Sequence, residues 1–163
     1  ILIFLASTIP TSFIPEEDQG YLIAVANLPD AASLDRTNSV DQRITEIALE
    51  QPGVEHVTSL SGFSLIEGLN RIQVGTNFIT LKDWDVRTNP SLQASAIGRM
   101  LNQKYFQIPE AQIFVFNPPA IQGLGTVGGF EFWIESRGDA SMQNLEKVTQ
   151  EVIKKAQERP ELR

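Results

Sequence analysis

The chain has 163 residues, of which 42% are hydrophobic and 20% are charged, a balance typical of a globular domain. Its 13 basic and 20 acidic residues give a net charge of -7, and no cluster of Lys or Arg is present, which disfavours nucleic-acid binding. The absence of cysteine excludes disulfides, thiolate metal sites and cysteine nucleophiles.

The first six residues, Ile1 to Ala6, are apolar, and Ile9-Pro10 interrupts any helix that they begin. This run is too short to cross a membrane by itself. A buried N-terminal strand is one interpretation. We favour the end of a transmembrane helix at residues 1–8, because a bare apolar terminus would promote aggregation.

Three segments share one plan, in which an apolar strand is followed by a helix and then by a proline. The prolines are Pro52, Pro109 and Pro160. A further strand is predicted after each of the first two prolines, whereas only a few residues follow the third. We therefore expect a second, incomplete unit after a linker at residues 118–128.

The hydrophobic periodicity predicts the order βαββαβ through residue 116, with Ser33 and Asn89 capping the two helices. This order closes into an antiparallel sheet with two helices on one face, the ferredoxin-like plan of an α+β fold. The fold hosts many functions and does not name one. The predicted elements are strand 21–28, a helix from about 34, strands 54–60 and 76–81, a helix from 90, strand 112–116, strand 130–136 and a helix from about 142.

Patterns that would carry catalytic or metal chemistry are weak in this chain. The run Gly123–Gly128 reads G-x-G-x-x-G, but a strand follows it rather than a helix, so a hinge is favoured over a nucleotide site. The single histidine, His56, has no partner at ligand spacing and is predicted at the surface. The run Glu16-Glu17-Asp18 lacks the alternation of a calcium loop and is predicted as a solvated acidic turn. We expect no catalytic group, no metal and no cofactor.

The segment Ser61–Leu69 is predicted as a long apolar loop with glycines in it, because no Asn-Gly or Asp-Gly signal marks a tight hairpin. Such loops are often lids or binding loops, but packing on the chain's own core is equally compatible with this composition.

Large side chains alternate in two of the predicted strands. One face of strand 130–136 carries Phe130, Phe132 and Ile134, and Phe114 and Phe116 alternate in the same way. Ordinary core packing explains such alternation more often than a ligand does.

Six runs lie in order and cover nearly the whole chain, although none is specific alone. They are IPTSFIPEEDQG at 9–20, LPDAAS at 28–33, GF at 62–63, FITLKDW at 78–84, FNPPAI at 116–121 and GGFEF at 128–132. As a set they resemble the resistance-nodulation-division (RND) multidrug efflux pumps, in the branch that exports hydrophobic and amphiphilic compounds. The resemblance implies a fragment of the C-terminal half, with one porter subdomain at 13–117 and the start of the next at 129–163.

The resemblance further implies a proton-driven transporter of hydrophobic or amphiphilic drugs, mostly periplasmic in this segment. The intact protein would be a homotrimer in the bacterial inner membrane, joined to a periplasmic adaptor protein and an outer-membrane channel. The proton-relay residues would lie in membrane helices outside this chain, and no enzymatic activity is implied.

By position, the resemblance assigns substrate contacts and a switch loop between two pockets. The substrate-binding residues would be Ile23, Val25, Asn27, Phe63, Leu65, Phe78, Phe130, Phe132 and Ile134. The switch loop would be Ser61, Gly62, Phe63, Ser64, Leu65, Ile66, Glu67, Gly68 and Leu69. Leu65 stands where related pumps often have a second aromatic residue. The only methionines, Met100 and Met142, lie in predicted helices, which disfavours the export of soft metals.

Two other functions compete with this interpretation. A free-standing regulatory module could bind a small ligand on the same ferredoxin-like sheet, but it should have polar ends. A hydrolase of acyl phosphates on this fold would need a phosphate-binding loop with convergent Arg and Asn side chains, and the sequence contains no such set. We favour the transporter segment.

Overall fold

A computed structural model describes residues 17–118, 134–136 and 141–159. The chain forms two compact units, residues 1–128 and 129–163. The predicted limits of the porter subdomains stay a prediction. The elements of the first unit are β1 (Tyr21–Asn27), α1 (Leu34–Leu49), β2 (Val54–Ser64), β3 (Leu69–Leu81), a 3₁₀ helix (Pro90–Leu92), α2 (Ala94–Tyr105) and β4 (Gln112–Phe116); the second unit contains α3 (Met142–Gln157).

The four strands form one antiparallel sheet in the order β2-β3-β1-β4. Helix α1 joins β1 to β2, and β3 lies between these two strands. Helix α2 joins β3 to β4, and β1 lies between them. Each connection therefore returns to a strand two places along the sheet. The α+β class predicted from the order of the elements is confirmed.

The core lies between the sheet and the two helices. Leu22, Ala24 and Ile79 point from the sheet into this core, where they meet Ile44 of α1 and Ile97 of α2. Because successive strand residues point to opposite faces, the odd-numbered residues of β1 face away from the helices. The alternation of β1 therefore gives the sheet one face that packs against neither helix.

Polar contacts tie the helices to each other and to the sheet. The Tyr105 hydroxyl donates to the Ile44 carbonyl oxygen at 2.9 Å, and burial raises the pKa of Tyr105, which keeps it a neutral donor. The Asn102 side chain donates to the Val115 carbonyl at 2.8 Å and accepts from the Val115 N–H at 2.9 Å. These bonds set the position of α2 over β4.

The predicted cap of the first helix is confirmed, whereas Asn89 caps a separate 3₁₀ helix and the second helix begins later than predicted. Ser33 Oγ accepts from the Arg36 N–H at 3.3 Å, and Asn89 Oδ1 accepts from the Ser91 N–H at 3.0 Å. Pro90–Leu92 is a separate 3₁₀ helix, and α2 starts only at Ala94. The separation arises because the backbone groups at the junction bond to side chains from elsewhere in the fold.

In the second unit, α3 begins as predicted, with Ser141 Oγ accepting from the Asn144 N–H at 3.3 Å. Residues 134–136 form neither helix nor strand, so the predicted strand 130–136 is wrong at its C-terminal end. A strand needs a hydrogen-bonded neighbour, and the described part of this unit offers none. Residues 130–133 lie outside the described residues, as do the glycine-rich run 123–128 and the predicted membrane segment 1–8.

Within the described ranges, every helix is too short or too polar to cross a membrane.

Candidate functional site

The face of the sheet opposite α1 and α2, named the distal face below, carries large apolar side chains in register across three strands. The antiparallel pairing places Ile23, Val25 and Asn27 of β1 each between one residue of β3 and one of β4. The rows, read from β3 through β1 to β4, are Phe78–Ile23–Phe116, Thr76–Val25–Phe114 and Val74–Asn27–Gln112.

The distal face has an aliphatic centre with aromatic neighbours. Ile23 is 5% exposed and Val25 is 1% exposed, and Val74 is buried beside them. Phe114, next to Val25 in the register, is 57% exposed. Exposed aromatic area continuous with a buried aliphatic cluster suits an apolar ligand. The partly buried side chains packed against this cluster are Tyr21, Leu65, Phe78 and Phe116.

The segment predicted as a loop at Ser61–Leu69 is mostly strand. β2 continues to Ser64 and β3 begins at Leu69, so the turn has only four residues. The Gly68 N–H donates to the Ser64 carbonyl at 2.9 Å, and Gly68 has a φ of 66°, which favours glycine. Ser64 Oγ also accepts from the Glu67 N–H at 3.3 Å. Serine and glycine therefore close the turn without the dipeptide signal that the prediction required.

A shift in the strand register, called the bend below, interrupts the hairpin before its end. Regular pairing stops at Ser61–Gly75 and resumes at Phe63–Asn70, so that residues 71–74 oppose Gly62 alone. Gly62 has a φ of 85°, and a Cβ added there would lie 2.9 Å from Leu34 Cδ1. The backbone conformation therefore favours glycine, and any larger residue would also displace the end of the exposed Leu34 side chain. The part beyond this bend, Phe63–Asn70, is named the hairpin tip.

Thr76 holds the hairpin tip to the distal face. Its hydroxyl donates to the Phe63 carbonyl at 2.7 Å and accepts from the Leu65 N–H at 3.3 Å. Thr76 is fully buried and pairs with Val25 on the distal face. The tip is therefore bonded to the same row of residues that forms the centre of the apolar cluster.

Side chains of the hairpin tip differ in what they contact. Leu65 packs against the cluster of Ile23, Val25 and Val74. Phe63 is partly buried, but it is not among the described side chains of that cluster. Leu69 is exposed at the end of the turn. The structure thus brings Ile23, Val25, Phe78 and Leu65 together.

Four other predicted residues are not part of this group. Asn27 is at the exposed end of β1, on the distal face. Phe130 and Phe132 lie outside the described residues. Ile134 belongs to the second unit and is partly buried there. The binding roles assigned by position remain predictions for all nine residues.

A concavity of about 490 Å³ lies beside the start of β1 and is built around an ion pair. Arg87 Nη1 lies 2.7 Å from Asp18 Oδ2, and Arg87 Nη2 lies 3.0 Å from Asp18 Oδ1. The same carboxylate accepts from the Ala94 N–H at 3.0 Å, and the Arg87 guanidinium also donates to the carbonyl oxygens of Lys82 and Leu92. Hydrogen bonding to Arg87 lowers the pKa of Asp18 to about 2.

The prediction of a solvated acidic turn at Glu16-Glu17-Asp18 is therefore wrong for Asp18. Its carboxylate joins the start of β1 to the start of α2, because the Arg87 side chain is buried and needs a counter-charge. Glu17 is exposed, and Glu16 lies outside the described residues. These side chains fix the backbone where β1 and α2 begin.

Groups with metal-binding chemistry do not converge in the described part of the chain, which contains no cluster of three or more His, Asp or Glu side chains suited to an ion. His56 is exposed beside Glu55, as the sequence predicts for a surface histidine.

A model of the AcrB/AcrD/AcrF family matches residues 1–163 of the chain. The chain belongs to this family. The resemblance to RND pumps drawn from the six runs is thereby confirmed.

Curated relatives are identical to this AcrB/AcrD/AcrF segment at about a third of the aligned positions. The multidrug/solvent efflux pump membrane transporter MepB of Pseudomonas putida is 34% identical over 157 residues, which are 95% of this chain and 15% of MepB. The toluene efflux pump membrane transporter TtgB, also of P. putida, has the same identity and coverage. The multidrug resistance protein MdtF of Escherichia coli is 34% identical over 154 residues, 93% of this chain and 15% of MdtF. The chain thus spans about 15% of the length of these relatives.

Sequence reasoning about this AcrB/AcrD/AcrF segment missed several residues of the distal face. Tyr21, Val74 and Thr76 belong to it, and the alternation of β3 down to Val74 is the signal that extends the strand far enough to find them. Phe114 and Phe116 alternate in the sequence, but the sequence alone did not separate a binding face from a core.

Proposed function

We propose that the chain is a porter segment of a proton-driven RND efflux transporter, and that its distal face is one wall of the path taken by hydrophobic and amphiphilic compounds. The observation that carries the proposal is the exposed ring of Phe114 beside the buried Val25 on the distal face, to which Thr76 bonds the hairpin tip. The sheet order β2-β3-β1-β4 supports a ferredoxin-like porter subdomain at residues 13–117.

The chemistry of this face fits substrates of variable shape. Burying one large apolar side chain against a partner stabilises a complex by roughly 1.5–3 kcal/mol, and such contact is not directional. The aromatic side chains supply a large contact area, whereas fixed polar groups that would select one substrate are few. A broad range of apolar compounds is the expected consequence.

The hairpin tip is proposed to act as the switch between two substrate pockets. It covers part of the distal face through Leu65, and it is joined to the rest of β2 and β3 by the bend at Gly62. A change of angle at this bend would move the tip without breaking the pairing of Val54–Ser61 with β3. Loop motions of this kind gate many binding sites.

The intact protein is proposed to form a homotrimer in the bacterial inner membrane, joined to a periplasmic adaptor protein and an outer-membrane channel. The support is family membership, together with relatives named as efflux pump membrane transporters. These relatives are transporters, which favours transport over the regulatory and hydrolase alternatives.

The test compares two Phe→Ala substitutions in the full-length protein. Phe114→Ala removes an exposed ring from the distal face, and Phe106→Ala removes a ring that is 91% exposed at the end of α2. Both should leave abundance unchanged. Phe114→Ala should lower the export of large apolar compounds about tenfold, since a lost ring contact is worth more than about 1 kcal/mol. Equal behaviour of the two variants across a broad panel of compounds would exclude the distal face as a substrate wall.

We propose that Phe130, Phe132 and Ile134 also contact substrates, as the resemblance to RND pumps implies. Phe132→Ala in the intact pump should therefore sensitise cells to some large amphiphiles without lowering expression. Unchanged susceptibility across the same panel would remove Phe132 from the site.

A further inference from the structure

A row of polar side chains on α1 bonds to the base of the bent hairpin. The Thr37 hydroxyl donates to the Ile72 carbonyl at 2.6 Å, and the Thr45 hydroxyl lies 3.1 Å from the Ser59 hydroxyl. Asp41 lies between these two threonines, at spacings of four residues that place all three on one face of the helix. The contact between α1 and the hairpin is thus polar over two turns of helix.

Asp41 is the centre of this row. It is 1% exposed, and its carboxylate accepts from Ser61 Oγ at 2.5 Å and from Asn77 Nδ2 at 2.8 Å. A Cβ added at Gly75 would overlap both carboxylate oxygens of Asp41, so the carboxylate occupies the space that any other residue at 75 would fill. Glycine at position 75 therefore leaves the space that the Asp41 carboxylate occupies.

The charge of Asp41 does not itself favour folding. Burial raises its pKa, although the hydrogen bonds from Ser61 and Asn77 act in the opposite direction. A buried carboxylate is unfavourable unless its bonds compensate. The amide of Asn77 has its Oδ1 atom buried without a hydrogen-bond partner among the described residues, so its bond to Asp41 orients it. The Asp41 carboxylate is therefore expected to affect the geometry of the hairpin rather than the stability of the fold.

The carboxylate acts at the last regular pair before the bend. Ser61 and Gly75 are opposite one another, and Gly62 follows on one strand while residues 71–74 bulge on the other. The next residue along β3, Thr76, bonds the hairpin tip on the distal side. Gly75 and Asn77 both contact the Asp41 carboxylate, and Thr76, whose hydroxyl holds the tip, lies between them in β3.

We propose that Asp41 is a positioning residue for the hairpin tip: by holding Ser61 and Asn77 from the helix side, it sets the angle at which Leu65 lies over the distal face. Its consequence for transport rests on the proposed function, because the tip angle would then set the size of compound that the distal face admits. Bulky compounds depend on this angle more than small ones do.

The test uses the full-length protein with Asp41→Leu and Asp41→Asn. Leucine has a similar branched shape but forms no hydrogen bond, whereas asparagine can accept from Asn77 and donate to Ser61 Oγ. Hydrogen exchange at the amides of Leu65–Gly68 should rise about fivefold in Asp41→Leu, as expected for one net hydrogen bond, and should stay near wild type in Asp41→Asn. Export of bulky compounds should fall in the same variant by a similar factor, with small compounds changed less.

Several results would overturn the proposal. One is equal exchange at the tip in Asp41→Leu and Asp41→Asn; another is a loss of export that is uniform over all compounds at normal abundance. If Asp41→Leu does not accumulate in cells, Ser61→Ala is tested in its place. That change removes one hydrogen bond and leaves the Asp41 carboxylate bonded to Asn77. Unchanged hydrogen exchange at the tip in Ser61→Ala would then refute the positioning role of Asp41.

Failure of the proposed function gives a different pattern. In that case Phe114→Ala and Asp41→Leu would both leave export unchanged, while exchange at the tip would still separate Asp41→Leu from Asp41→Asn.

Discussion

At the scale of single residues, two carboxylates in the first unit have pKa values that are shifted in opposite directions. Asp18 meets a buried guanidinium and two backbone N–H groups, and its pKa is lowered to about 2. Asp41 meets only neutral donors, and burial raises its pKa. The charged form of Asp18 is therefore stabilised by the fold, whereas that of Asp41 is penalised.

The Asp18–Arg87 pair makes the stability of the first unit depend on acid pH. Because the folded-state pKa of Asp18 lies below its ordinary value of 3.8, its contribution is complete above that value and is lost as the pH falls towards about 2. Asp18→Asn should lower the melting temperature of the full-length protein at neutral pH, and the difference from wild type should shrink over the same acid range.

Glu17→Gln is the matched control for this pH series, since Glu17 is adjacent and exposed. A gap between Asp18→Asn and wild type that stays constant down to the acid limit would show that lost shape, rather than lost charge, accounts for the difference.

Thr76 offers a second prediction at this scale. Thr76→Val keeps the shape of the side chain but removes both hydrogen bonds to the tip, leaving the Leu65 N–H and the Phe63 carbonyl without that partner. Since such losses amount to about 1–3 kcal/mol, exchange of the Leu65 amide should speed up at least about fivefold. Thr76→Ser keeps the hydroxyl and should exchange like wild type; acceleration in both variants would point to packing instead.

At the scale of elements, the hairpin is the least regular part of the sheet. Two glycines with positive φ lie in it, Gly62 at the bend and Gly68 in the turn. An added Cβ at Gly62 meets Leu34 of α1, whereas an added Cβ at Gly68 has nothing within 4 Å. Substitutions at Gly62 and Gly68 therefore distinguish backbone strain combined with a contact to α1 from backbone strain alone.

Gly62→Ala should alter the export of bulky compounds more strongly than Gly68→Ala, because it combines strain with a clash against α1. Leu34→Ala should partly restore export in Gly62→Ala by removing the clash, and should not help Gly68→Ala. Gly62→Pro, which stiffens the bend, should impair the same compounds. Equal defects in the two alanine variants, with no rescue, would show that the bend does not act through α1.

At the scale of the whole molecule, the first unit is a sheet whose two faces differ in what they contact. One face packs against α1 and α2 through a continuous apolar core. The distal face keeps an aromatic ring largely exposed beside a buried cluster. The fold is therefore stabilised through one face, and the distal face is the one proposed above to contact substrates.

The membership of a larger transporter is directly testable. An antibody against Pro90–Tyr105 should detect a product in the membrane fraction that is several times larger than this chain, as the 15% coverage of the relatives implies. Chemical cross-linking of intact membranes should convert that product to a trimer. A product of the chain's own size in the aqueous fraction would contradict the transporter proposal.

The sequence by itself determined the order of the elements of the first unit, two helix caps and the family. These depend on local signals: the period of apolar residues, Ser33 and Asn89 beside their helices, and runs of neighbouring residues. For the same reason the apolar run of β1 and the helical period of α1 were read correctly, whereas Ile23, Val25 and Phe78 were grouped only by the resemblance to RND pumps. The six runs identified RND pumps before any geometry was known.

Only the tertiary structure decided the partners of the buried charges and the shape of the hairpin. Asp18 meets Arg87 across 69 positions of sequence, and Asp41 meets Asn77 across 36. Hydrophobic periodicity carries no information about such distant pairs. Asp18 was therefore predicted to be solvated, and no role was predicted for Asp41. The apolar run at Ser61–Leu69 became strand, turn and bend because Thr76, Leu34 and Asp41 contact it from two faces of the sheet, and those contacts exist only once the chain has folded.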